Sequence, residues 1–84
     1  MNFENKVTQI CDDIAKMLIS KNKAYGNSAL EPIRVFSKAS TEEQLYVRMD
    51  DKLSRIARGH EYPGDDTIDD LIGYLVLLKI HKNS

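Results

Sequence analysis

Arg48, Lys52 and Arg55 stand four and three residues apart. On a helix that spacing sets three cations in one row. Neighbouring like charges there disfavour each other by about 0.2–0.5 kcal/mol per pair, so the row calls for a counter-charge. Two kinds of partner can supply it. One is the chain's own acids, Asp51 and the aspartates that open the last helix, as surface ion pairs. The other is a phosphate-bearing ligand, since the arginine fork matches phosphate oxygens two at a time. Lys21, Lys23, Tyr25, Asn27 and Ser28, in the segment KNKAYGNS, with Arg34 and Lys38 beyond it, add donors and an aromatic ring. Tyr74 adds a second ring. A base stacked on such a ring gains about 1–3 kcal/mol.

The carboxylates allow a different chemistry. Asp51, Asp66 and Asp70, if two antiparallel helices bring them together, could hold magnesium against a phosphate chain. Aspartates at a helix start are also ordinary caps. His60 and His81 are not spaced as a zinc motif. The chain contains no Walker A loop, no G-x-G-x-x-G and no G-x-S-x-G. No catalytic residue is assigned.

These side chains need helices to position them. Val7, Ile10, Cys11, Ile14, Met17, Leu18 and Lys21 recur at three- and four-residue steps, which predicts a helix over about 3–21 capped by Asn2. Cys11 falls in that stripe and reads as a small buried hydrophobe. Residues 22–39 break the pattern and read as a long loop or short helix. Gly26-Asn27 is a turn signal, and Pro32 can open a helical turn to Phe36. Ala29, Leu30, Ile33, Val35 and Phe36 are available to pack that segment down. Ser40 and Glu43 form a capping box for a second helix over 41–58, stopped by Gly59. At 100° per residue, Leu45, Met49, Leu53 and Ile56 make its core face, and Arg48, Lys52 and Arg55 flank it. Asp50 falls on the other flank. Asp65 or Asp66 caps a third helix over 66–81, apolar nearly all round. Such a helix is central or lies in a subunit interface, and Gly73 within it admits a close neighbour.

The expectation is therefore a single all-α domain spanning residues 1–84 with three main helices, assembling as a homo-oligomeric helical bundle. Eighty-four residues bury only about 60–65% of the chain's surface, which leaves stability marginal without a supplement. One cysteine excludes an intrachain disulfide and a four-cysteine zinc site, so self-association is the remaining supplement. The formal charge of −1 gives no field for duplex nucleic acid. The start MNFENKVTQ lacks the apolar core of a leader, and no apolar run is long enough for a membrane. A cytoplasmic location is expected, the host cytoplasm if the chain is phage-encoded.

Three segments carry a resemblance. KNKAYGNS, RMDDKLSRI and DTIDDLIGYL resemble, in the same order, segments of small phage and prophage proteins of the nucleotide-modification-associated domain family. The last also resembles the final metal-binding helix of MazG-like all-α nucleotide pyrophosphatases. There Asp70 matches the final aspartate, while Thr67 stands where a glutamate is expected. The resemblance implies a nucleotide or cyclic nucleotide ligand. By analogy with compact phage proteins that sequester immune signals, it suggests an anti-defence sponge that binds without chemistry or cofactor. The ligand-binding residues are then Lys23, Tyr25, Asn27, Ser28, Arg48, Lys52, Arg55 and Tyr74. The alternatives are a magnesium-dependent pyrophosphatase using Asp51, Asp66 and Asp70, and a phage inhibitor that binds a host protein.

Overall fold

The computed structural model describes residues 2–60, 62–64 and 66–84. Among these residues there are three helices and no strand: α1 (Phe3–Tyr25), α2 (Thr41–Arg58) and α3 (Thr67–Lys82). The all-α, three-helix expectation holds, and each helix starts at a side-chain cap. Asn2 Oδ1 accepts the Asn5 amide at 2.8 Å. Ser40 Oγ accepts that of Glu43 at 3.1 Å, and Asp66 Oδ1 that of Asp69 at 3.0 Å. Each bond satisfies an amide that has no partner within its helix. Asp66 is thus the cap, while Asp65 lies outside the described residues.

Two boundaries differ from expectation. The first helix continues past Lys21 to Tyr25 because Lys21–Tyr25 are all compatible with helix. The stop signal comes only at Gly26, with φ 63°, where a left-handed residue is cheapest as glycine. The helical turn expected at Pro32–Phe36 does not form. Arg34 instead donates to the Ala39 carbonyl at 3.1 Å and to Thr41 Oγ1 at 2.8 Å. Gln44 donates to the same carbonyl at 3.0 Å. The segment is tied to the start of α2 as an irregular arm, its β-branched Ile33 and Val35 in non-helical backbone.

Helices α2 and α3 run antiparallel. Lys82 pairs with Glu42 at 2.8 Å at one end and Lys52 with Asp70 at 3.3 Å toward the other. Leu45, 1% exposed, and Met49 are buried on α2 and Ile14 on α1. Helix α1 packs on α3, where Gly73 makes the approach possible. A Cβ at Gly73 would stand 3.0 Å from Leu18 Cδ2 and 3.4 Å from Met17 Cε.

This arrangement corrects three burial expectations. Leu53 and Ile56, assigned to the core face of α2, remain 51% and 44% exposed. Cys11 is exposed, because α3 covers the C-terminal half of α1 and leaves Phe3, Val7 and Ile10 bare. Ile33, Val35 and Phe36 do not pack the connecting segment down; all three are exposed. Helix α3 is the one against which both α1 and α2 pack, and it still leaves Ile68, Leu75, Val76 and Ile80 exposed. The chain has a radius of gyration of 14.2 Å, against about 12 Å for a compact domain of this length.

Candidate functional site

The extra turn of α1 has a direct consequence for the site. It carries Asn22 and Tyr25 to the side of α3 that bears Asp70 and Tyr74. The chain then reverses through Gly26 and Asn27, whose amide donates to the Asn22 carbonyl at 3.2 Å. Asn27 adopts φ 61°, a left-handed conformation that asparagine tolerates better than most residues. Its carbonyl accepts the amides of Leu30 and Glu31 at 3.2 and 3.0 Å. This closed turn presents Ser28 and Ala29 to the same side.

Between these elements lies a cleft of about 250 Å³. Met17, Leu18, Gly73 and Leu77 make its apolar wall. Tyr25 and Tyr74 contribute rings, Asn22 and Ser28 neutral hydrogen-bonding groups, and Lys21, Arg48 and Asp70 charges. Apolar lining with a few convergent polar groups is the usual make-up of a small-molecule site.

Asp70 organises the charges. Its Oδ1 accepts from Lys21 Nζ at 2.9 Å and its Oδ2 faces Lys52 Nζ at 3.3 Å. The Asp70 side chain is 15% exposed and that of Lys52 12%, so this pair is sheltered from water. Partial burial pushes the Asp70 carboxyl up. The hydrogen bonds and charges of Lys21 and Lys52 outweigh that and hold it below the ordinary carboxylate range. The same hydrogen bond raises the Lys21 ammonium against the opposing effect of burial.

In comparisons with protein-family models, curated proteins and solved structures, nothing matches this chain.

Of the eight residues assigned to ligand binding from sequence, Tyr25, Ser28, Arg48 and Tyr74 line the cleft, and Lys52 reaches its edge through Asp70. Arg55 points elsewhere and donates to Asp51 at 3.4 Å. Lys23 is exposed in the last turn of α1, and Asn27 shapes the turn. The basic row is thus split: Lys52 and Arg55 meet protein carboxylates. Among the described residues no carboxylate pairs with Arg48.

The three acids considered for magnesium are also dispersed. Asp51 faces Arg55, Asp66 caps α3, and Asp70 is held by two lysines. Among the described residues no three of His, Cys, Asp or Glu form a group able to hold a metal ion.

Asn22 and the apolar wall were not among the residues considered from sequence. Lys21 was considered as a donor, though not among the eight assigned, and it is a cation at a stripe position of α1. A long side chain there can lie along the apolar wall and still reach a buried carboxylate.

Proposed function

We propose that the cleft between α1, α3 and Arg48 binds a nucleotide, and that the protein retains it without chemistry. One observation carries this reading: two tyrosines, an arginine without a carboxylate partner among the described residues, and an apolar wall converge on one cleft. A base stacks on Tyr25 or Tyr74, and a phosphate meets Arg48 with Lys21 beside it. The acid in the cleft, Asp70, is neutralised by lysines and is not grouped with other carboxylates for a metal among the described residues, which favours binding over turnover. The volume suits a mononucleotide-sized group; a cyclic dinucleotide would extend beyond one protomer.

The same reading makes the protein a homo-oligomer, because its small core leaves much apolar surface uncovered. In the phage setting that the sequence resemblance implies, the ligand is a nucleotide signal of host immunity and the protein a sponge for it. No described helix is long and apolar enough to cross a membrane.

The test is to incubate the protein with nucleoside triphosphates and cyclic mono- and dinucleotides, with and without magnesium, and to analyse the free pool and the pool released by heat. Intact nucleotide released on heating is the expected result. Magnesium-dependent monophosphate would replace this reading with the pyrophosphatase, and an unchanged free pool with nothing released would end both.

A further inference from the structure

The first helix carries a spacing that the fold leaves half used. Phe3, Val7, Ile10, Ile14 and Met17 follow one another at steps of four, three, four and three residues. That is a repeat of 3.5 residues, the period at which one helix presents a continuous apolar seam to another. The chain covers only the later part of this seam. Ile14 is 5% exposed, and Met17 packs at Gly73 of α3. Phe3, Val7 and Ile10 are 78%, 43% and 55% exposed. The seam thus has one half filled by its own chain and one half facing water.

The residues beside the seam say what fits the open half. Lys6 and Asp13 come just before Val7 and Ile14, along one edge; Glu4 and Cys11 come just after Phe3 and Ile10, along the other. All four are exposed. Such flanking positions set which helices pair and in which direction. When two copies of this seam meet antiparallel, like edges face each other, and with Val7 set against Ile10 of the second copy, Lys6 stands opposite its Asp13. The two-fold axis makes that pair twice. When the copies meet parallel, unlike edges face each other, and Lys6 meets Cys11 while Asp13 meets Leu18. Asp13 also borders an acidic group: burial first, then Asp66, Asp70 and Asp13, raise the Asp69 carboxyl. A lysine brought in from outside relieves that group.

The exposed area is large for the mass. The chain presents 6581 Å², against about 5,100 Å² for a compact monomer of its size. The excess, roughly 1,500 Å², exceeds the area of about 800 Å² that each partner gives to a standard stable interface.

We infer that a second copy of this chain covers the open seam, the Phe3–Val7–Ile10 stripes of two α1 helices packing antiparallel on each other across a two-fold axis. The same patch serves both partners, so the contact closes at two chains. This pairing rests on the self-association proposed above and gives it a definite surface. It does not require the nucleotide, because none of Phe3, Lys6, Val7, Ile10 and Asp13 lines the cleft.

The test combines light scattering with cross-linking, both at micromolar protein. The wild type should run as a dimer. Val7→Asp and Ile10→Asp should each run as monomers with unchanged helix content by circular dichroism, since both positions are exposed. Lys6→Asp and Asp13→Lys should each raise the dissociation constant of the dimer about tenfold, as two attractive pairs become repulsive. The double variant, with the charges exchanged, should recover it. In a Cys11→Ser background, chains carrying Val7→Cys are mixed with chains carrying Ile10→Cys and oxidised gently. A heterodisulfide between the two kinds of chain is expected. A monomeric wild type would overturn the pairing and the self-association together. A dimer that survives Ile10→Asp, a double charge variant no tighter than the single ones, or disulfides only between like chains would overturn the pairing alone. Nucleotide release from the same variants, read separately, shows whether the cleft binds regardless of that outcome.

Discussion

Arg48 and Arg55 sit in one basic row in the sequence and in different surroundings in the fold. Arg48 lines the cleft, and Arg55 meets Asp51 outside it. A hydrogen bond to a charged group is worth about 1.5–3 kcal/mol. Arg48→Ala should therefore weaken nucleotide retention by about 10- to 100-fold, while Arg55→Ala changes it by less than about threefold. Equilibrium dialysis with the nucleotide recovered by heat release measures both; equal losses would mean that the row acts as one diffuse charge. Which arginine faces the cleft was not legible from helical spacing. It depends on the acids that neighbouring turns and α3 bring to the others. The caps were legible because they are local: Asn2, Ser40 and Asp66 each bond an amide three residues ahead. Cys11 was misjudged, since periodicity shows which side of a helix is apolar but not how far the partner helix extends.

At the scale of elements, Asp70 and Gly73 join the three helices. Asp70→Asn keeps the shape but leaves Lys52, nearly buried, without its anion. That should cost about 1–3 kcal/mol of stability. It also removes the negative charge from the cleft, so the variant should bind an anionic nucleotide more tightly while melting at a lower temperature. The pH dependence follows from the lowered Asp70 pKa. A depressed carboxyl contributes stability that is fully present above the unfolded value, near about 3.9, and lost as pH falls through the lower folded value. Wild type should thus lose more stability than Asp70→Asn between about pH 5 and 2, by chemical denaturation followed with circular dichroism; equal losses would place the acid sensitivity elsewhere. Gly73 shows how much of the helix contact was visible beforehand. A glycine inside an apolar helix signalled a close neighbour, but not that Leu18 and Met17 of α1 fill the space. Both contacting atoms are ends of flexible side chains, so Gly73→Ala should be tolerated within about 1 kcal/mol, the helix propensity of alanine offsetting the crowding. Gly73→Leu should part α1 from α3, cost about 1–3 kcal/mol and close the cleft, read as lost stability together with lost nucleotide retention.

For the whole molecule the question is what stabilises so thin a core. Ile14, Leu45 and Met49 are the buried apolar residues among those described, and Leu45→Ala alone should cost about 2–5 kcal/mol. Small domains have only about 0.05–0.15 kcal/mol per residue in hand, about 4–13 kcal/mol for this chain, so a single such loss should remove a large share of the monomer's stability. The ion pairs add little, since Lys82–Glu42 and Lys21–Asp70 are open to water on at least one side. Composition and length already pointed to self-association as the missing contribution, but the apolar surface left uncovered depends on how much of α1 is covered by α3, which no local pattern encodes. If copies cover the α1 stripe, folding is coupled to association and the melting midpoint must depend on concentration. A hundredfold dilution should lower it by on the order of 5 °C for a domain of this size, followed by the helical signal at 222 nm. The Ile10→Asp variant, unable to associate, should melt at one temperature at every concentration, equal to or below that of the most dilute wild type. A concentration-independent wild-type midpoint would mean that the three-helix monomer is stable as it stands and that its exposed apolar faces play no part in folding.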